Sequence, residues 1–261
     1  MKSATRKLVI GMGTVLLGLS SVSSNATPFG FWASEGWTAF TLSTPGEDGS
    51  VTPGAGGQLF DAEGLYFKQV SATTLSIGLQ AGFDLVDGHV TYPYSHGQYY
   101  AGDLALSFDG NVSTYEYAVD FGLLTKDFQL DLVDADVGVG DGIDDDAFYS
   151  VSTWNNDVIP GYVGISKPFA MTAGTMVSNL TSNLSGSGIA GTATSYWRKV
   201  TFDISSLGLV GNTTLNAHWT MSCGNDFIKG TATLVPEPSS LLLMALSLLG
   251  LGWVGRKRRA A

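Results

Sequence analysis

Between residues 74 and 85, apolar and polar positions alternate without a break. Leu75, Ile77, Leu79, Ala81, Phe83 and Leu85 take one parity; Thr74, Ser76, Gly78, Gln80, Gly82 and Asp84 take the other. Successive side chains of an extended chain point to opposite faces, so a period of two predicts a half-buried strand. Leu104, Leu106 and Phe108 repeat the pattern against Asp103, Ala105, Ser107 and Asp109. Tyr115, Tyr117, Val119 and Phe121 do so against Glu116, Ala118 and Asp120. With the turn residues Asp109-Gly110-Asn111 between them, 103–109 and 114–123 are expected to form an antiparallel hairpin with one wet face. Phe128, Leu130 and Leu132, alternating with Gln129 and Asp131, predict a further strand. Other strands are expected at 37–42, 64–70, 146–153, 196–204 and 227–234. Residues 44–57 and 170–195 are rich in Gly, Ser, Thr and Asn with little alternation and read as long surface connections. No repeat of fixed period is visible. Short strands punctuated by turns predict an all-β antiparallel β-sandwich, jelly-roll-like or immunoglobulin-like, with a strand order the sequence does not reveal.

Two segments depart from this pattern, one at each end. Lys2, Arg6 and Lys7 precede the apolar run Leu8 to Leu19, and Ser24-Asn25-Ala26 offers small residues at a cleavage site. This order predicts a secretory signal peptide, 1–26, cleaved after Ala26. At the other end Val235-Pro236-Glu237-Pro238 leads into Ser239 to Gly255, 17 residues without a charge, and then Arg256-Lys257-Arg258-Arg259. As a helix the uncharged run is ~26 Å long, close to the ~30 Å of a bilayer's hydrocarbon core. The four cations then stop transfer and stay on the cytoplasmic side. The expected organisation is therefore a signal peptide, an extracytoplasmic β-sandwich over 27–234, and a terminal segment 235–261. That segment divides into a motif (235–238), a transmembrane helix (239–255) and a basic tail (256–261).

The order Pro236-Glu237-Pro238, apolar helix and Arg-rich end resembles the PEP-CTERM sorting signal of Gram-negative bacteria. The resemblance implies processing by an exosortase, a membrane-embedded cysteine transpeptidase-like protease. It also implies a precursor held transiently in the inner membrane, and release or attachment at the cell surface or in the extracellular matrix. Such systems accompany exopolysaccharide production, which makes exopolysaccharide a candidate partner. The segment His218-Trp219-Thr220-Met221-Ser222-Cys223-Gly224-Asn225-Asp226 is similar to one that many PEP-CTERM proteins carry before the signal, and Ala101-Gly102-Asp103-Leu104 is similar to members of that group. This similarity implies kinship and no mechanism.

Charge narrows the choice of partners. The segment 27–235 carries six cations against 22 acids, a formal charge of −16. A nucleic-acid binder needs the opposite sign. Cys223 is the single cysteine, so an internal disulfide is excluded and the thiol is either buried or open to a second chain.

Candidate chemistry falls in three places. Seven aspartates crowd 131–146, with Gly138, Gly140 and Gly142 among them. Calcium takes six to eight oxygens from closely spaced carboxylates and carbonyls, so Asp134, Asp136, Asp141, Asp144, Asp145 and Asp146 are its candidate ligands. The spacing is not that of an EF-hand, and a solvated acidic loop is the alternative. Tyr92, Tyr94, Tyr99 and Tyr100, with His89 and His96, form an aromatic loop that would stack on sugar rings if exposed, or pack on its own core. His218, Cys223, Asn225 and Asp226 contain the residue types of a thiol catalyst. Positions five apart in a strand, however, face opposite sides. No nucleophile elbow, phosphate loop, dinucleotide fingerprint or His-Glu-x-x-His is present. The expectation is a non-enzymatic surface protein with a structural or adhesive role in envelope or biofilm. The alternative is a surface-displayed carbohydrate-binding module; no cofactor is required by either reading, and calcium is the candidate cation for both.

Overall fold

The computed structural model describes residues 27–43, 57–91, 97–111, 114–125, 142–155, 167–224 and 226–235. One short helix, α1 (Gly30–Ser34), precedes the strands. β1 (Thr38–Ala39) and β2 (Thr41–Leu42) are one extended stretch interrupted at Phe40. β3 (Ala62–Ser71) and β4 (Thr74–Ala81) form a hairpin; β5 (His89–Thr91) and β6 (Gln98–Tyr100) pair only with each other. β7 (Leu104–Ser107), β8 (Tyr117–Asp120) and β9 (Ala147–Asn155) follow. Next come β10 (Ala170–Ala190), β11 (Ala193–Asp203), β12 (Thr213–Thr220) and β13 (Phe227–Leu234).

Eleven of these strands make one antiparallel sheet in the order β1-β3-β4-β11-β10-β9-β8-β7-β12-β13-β2. The sheet is nearly closed, because its two edge strands are the two halves of one stretch of chain. β1 pairs with β3 and β2 with β13, and the break falls at buried Phe40, whose N–H donates to Leu65 O at 3.0 Å. β10 makes the other corner. Its residues Ala170–Asn179 pair with β9 and Leu180–Ala190 with β11, and the register shifts between Leu180 and Ser182. A bulge of this kind lets one long strand pass from one half of a folded sheet to the other. The two halves enclose the main core. Phe148 of β9 stacks on Phe202 of β11 with centroids 4.6 Å apart, and Trp219 of β12 packs edge-on to Phe83.

The antiparallel all-β expectation therefore holds, and β13 begins and ends where the alternation places it. Three expectations are corrected. Residues 170–195 are not a surface connection but all of β10 and the start of β11. The sequence there lacks an apolar stripe because β9 along one half and β11 along the other hold the strand through its backbone. β4 has no wet face: seven of its eight residues are buried. Trp32 of α1 lies across Gly78, where an added Cβ would sit 2.4 Å from the indole. The hairpin β7–β8 likewise has no wet face. Tyr149 and Met171, with Ile143 and Trp154, pack over Ala118 and Ala147 on its second side. The strand expected around Phe128–Leu132 lies outside the described residues, as does nearly all of the connection 44–57. Among the described residues no helix is long and apolar enough to cross a membrane; the expected span 239–255 lies outside them.

Candidate functional site

The sorting end starts where β13 stops. Val235 is 55% exposed, and its N–H donates to Gln69 Oε1 on β3 at 3.2 Å. Gln69, Ala72, Ile204, Leu209, Gly211 and Leu234 line a shallow depression beside it. Pro236, Glu237 and Pro238, the tail Arg256, Lys257, Arg258 and Arg259, and the expected cleavage residue Ala26 all lie outside the described residues.

The segment from His218 to Asp226 is interior. Trp219 points into the core and its Nε1 donates to Gly102 O at 3.0 Å. His218, on the opposite face of β12, sits between the rings of Tyr115 and Phe227, with Nε2 3.1 Å from Pro168 O. Asp226 ties three strands together. Its carboxylate accepts from Ala62 N and Phe227 N at 2.8 Å, while its carbonyl accepts from Thr220 Oγ1 at 2.7 Å. Ser222 Oγ accepts from Tyr100 N at 3.0 Å, and Cys223 is fully buried in the main core. These side chains join the β12–β13 connection to β3 and β6. The thiol and the imidazole are both fully buried. Asn225 lies outside the described residues.

The acidic segment meets the sheet at β7 and β8. Continuing the register Leu104↔Val119 sets Asp103 across from Asp120, and both are buried, at 1% and 0% exposure. Asp103 Oδ2 accepts from Met171 N at 2.7 Å, and Oδ1 has no hydrogen-bond partner. Asp120 accepts from Gly122 N at 2.7 Å and Asp145 N at 2.9 Å. Burial, with the charge of Asp120 next, pushes the Asp103 carboxyl well above the usual carboxylate range. Burial pushes Asp120 up to about 8, against the two N–H donors that favour its ionised form; the charges of Asp144 and Asp145 add to the rise. Asp144, Asp145 and Asp146 are exposed, and Asp144 Oδ1 is held by Thr125 N and Oγ1 at 2.9 and 3.0 Å. Among the described residues no three His, Cys, Asp or Glu side chains converge as a metal site. Asp134, Asp136 and Asp141 lie outside the described residues.

The tyrosine loop is a small hairpin. Tyr99 is 7% exposed and meets the Phe60 ring edge-on at 5.1 Å; Tyr100 is 4% exposed and donates its hydroxyl to Gln98 Oε1 at 2.7 Å. Both rings are buried, which corrects their assignment as a sugar-stacking platform: Tyr99 joins the main core, and Tyr100 is covered on the other face of β6. Tyr92 and Tyr94 lie outside the described residues.

Two polar features escaped the sequence reading. Arg198 points into the barrel, 6% exposed, and donates to Leu85 O, Phe121 O and Asn183 Oδ1 at 2.8–3.0 Å. Burial pulls its guanidinium down to about 10. Outside the sheet, Lys199 lies 4.0 Å from the Phe31 ring centroid and pairs with Glu35 at 2.6 Å, within a cluster that includes Trp32, Trp37 and Trp197. Gln80 Oε1 beneath it accepts from Trp32 Nε1 at 2.8 Å and Phe29 N at 3.1 Å. Four aromatics in Phe29–Trp37 were the available signal, because an exposed run of that kind seeks a surface to cover.

The PEP-CTERM protein-sorting motif matches residues 234–259. No curated protein and no solved structure matches the chain. The motif is the recognition signal of an exosortase, and this chain is accordingly an exported protein made as a membrane-anchored precursor for exosortase processing.

Proposed function

We propose that the chain is a non-catalytic structural or adhesive component of the cell surface or biofilm matrix of a Gram-negative bacterium. Its signal peptide, 1–26, is removed, and 27–234 forms the working domain, whose two facing half-sheets we read as the layers of a sandwich. Residues 235–261 deliver it. The observation that supports this reading is the burial of the groups that could do chemistry. His218, Cys223, Asp103 and Asp226 are all between 0 and 3% exposed, and His218, Asp103 and Asp226 have polar atoms on neighbouring backbone. An enzyme keeps its nucleophile and base within reach of substrate. The glycan-binding alternative is left with Tyr92 and Tyr94 outside the described residues, and no observation favours it.

Deleting the chain from its host tests the role. A change in cell aggregation or matrix texture with growth unchanged on every carbon source supports a structural part. Unchanged aggregation with loss of growth on one polymer would sink it and point to a hydrolase. Delivery has its own test: alanines at Pro236, Glu237 and Pro238 should hold the full-length precursor in the inner membrane. Processing of unaltered mass would refute the sorting role of this motif.

A further inference from the structure

We propose that in the anchored precursor the barrel stands end-on upon the bilayer, with the rim formed by Val70, Leu209, Val210 and Val235 seated in the lipid head groups. The inference rests on the membrane-anchored reading and on the span beginning at Ser239. Only Pro236, Glu237 and Pro238 separate Val235 from that residue. Four residue steps reach at most about 14 Å even when fully extended. A domain of this length has a radius of gyration of about 17 Å, so the tether is shorter than the body it holds. The barrel cannot roll over on such a leash, and the end that carries Val235 faces the membrane.

That end is built for the contact. Val210 is 88% exposed, Val235 55% and Val70 53%. They are brought together because their chain neighbours Gln69, Leu209, Gly211 and Leu234 line one depression. Gly208 and Gly211, at φ of +58° and +72°, bracket Leu209 and Val210 in a tight turn that presents the valine outward. The three rim segments 69–73, 204–217 and 230–235 contain no charged residue, although the exposed carboxylates of Asp203, held by Ser205 N, and Asp109, held by Asn111 N, stand beside them. Apolar side chains that sink 5–10 Å into the head-group boundary are the usual means of surface attachment.

The test uses the full-length precursor reconstituted in vesicles whose lipids carry a nitroxide at the head group. Cys223 is fully buried and does not compete for label. A fluorophore is placed on Val210→Cys or, independently, Val70→Cys. The reference is Thr192→Cys, in the exposed β10–β11 turn at the far end of β11, roughly 35 Å away at ~3.3 Å per residue. The expected result is strong loss of emission at 210 and 70 and little at 192. Equal quenching at all three positions, or none at 210 and 70 in protein that floats with the vesicles, overturns the end-on seat alone. Protein that does not float overturns the anchor, and this proposal with it.

Discussion

Raising the pH from 5 to 7.5 should weaken this fold, because two buried carboxyls face each other across β7 and β8. Asp120 is pushed up to about 8, whereas an unfolded Asp ionises near 3.9. The group's folded value lies above its unfolded one. Its contribution is thus complete below about pH 3.9 and is lost as pH climbs toward 8, where the folded state holds a proton that the unfolded chain has released. Each pH unit inside that window removes up to about 1.4 kcal/mol, so the interval from 5 to 7.5 removes about 3 kcal/mol. Asp103 moves in the same direction and titrates with it as a pair. The informative variant is Asp103→Asn. Its amide oxygen keeps the Met171 N–H bond, its NH2 replaces the unpartnered Oδ1, and one of the charges raising Asp120 disappears. The assay is urea unfolding of the full chain in detergent micelles with EDTA, at intervals from pH 5 to 7.5. The wild type should lose stability across the range. Asp103→Asn should match it near pH 5, exceed it by about 1–2 kcal/mol at pH 7.5, and show a shallower slope. A wild type that gains stability with pH, or a variant offset that is the same at both ends, would refute the reasoning.

Three more outcomes are expected. Gly78→Ala puts a Cβ 2.4 Å from the Trp32 ring, so it should cost about 1–3 kcal/mol and shift tryptophan emission as α1 lifts from β4, readable in one melt followed by fluorescence. Arg198→Met leaves Leu85 O, Phe121 O and Asn183 Oδ1 without their donor inside the barrel. A loss of about 3 kcal/mol in chemical unfolding is expected, and a neutral result would mean water replaces the guanidinium. Cys223, fully buried, should resist a polar thiol reagent in native protein and react only as urea unfolds it. A disulfide-linked dimer on a non-reducing gel would contradict the burial.

The strands that the sequence announces are those whose inward face is mostly apolar at alternate positions, even where Arg198 interrupts that of β11. β4, β11 and β13 were legible for that reason. β10 was not, since each half is fixed by one ladder, first to β9 and then to β11, and its exposed positions mix Thr, Ser and Asn with Met176, Leu184 and Ile189. β12 was overlooked because His218 drew attention as candidate chemistry, although Leu215, Ala217 and Trp219 alternate against Asn216, His218 and Thr220. The wet faces expected on β4 and on β7–β8 turned out covered, by α1 and by the Tyr149–Met171 cluster. Alternation records which residues share a face, not what later packs upon it. The sorting motif was readable because it depends on local order alone. The burial of Tyr99, Tyr100 and Asp103 depends on segments distant in the chain and has no local signature.

The seam at Phe40 sets the order of events during export. Thr41 pairs with Thr231, and Thr38, on the other side of the break, pairs with Phe67. A chain led by its N-terminus through a translocation channel delivers Thr38 and Thr41 first and β13 last among the strands. β1 can dock on β3 early, but β2 has no partner until almost the whole domain has crossed. The ring therefore stays open through most of translocation, and such non-local pairing is slow to form. It closes only as the apolar run behind Val235 enters the channel. Completion of the fold and arrest of the precursor in the membrane thus become nearly simultaneous, and the sorting protease meets a barrel that has just shut.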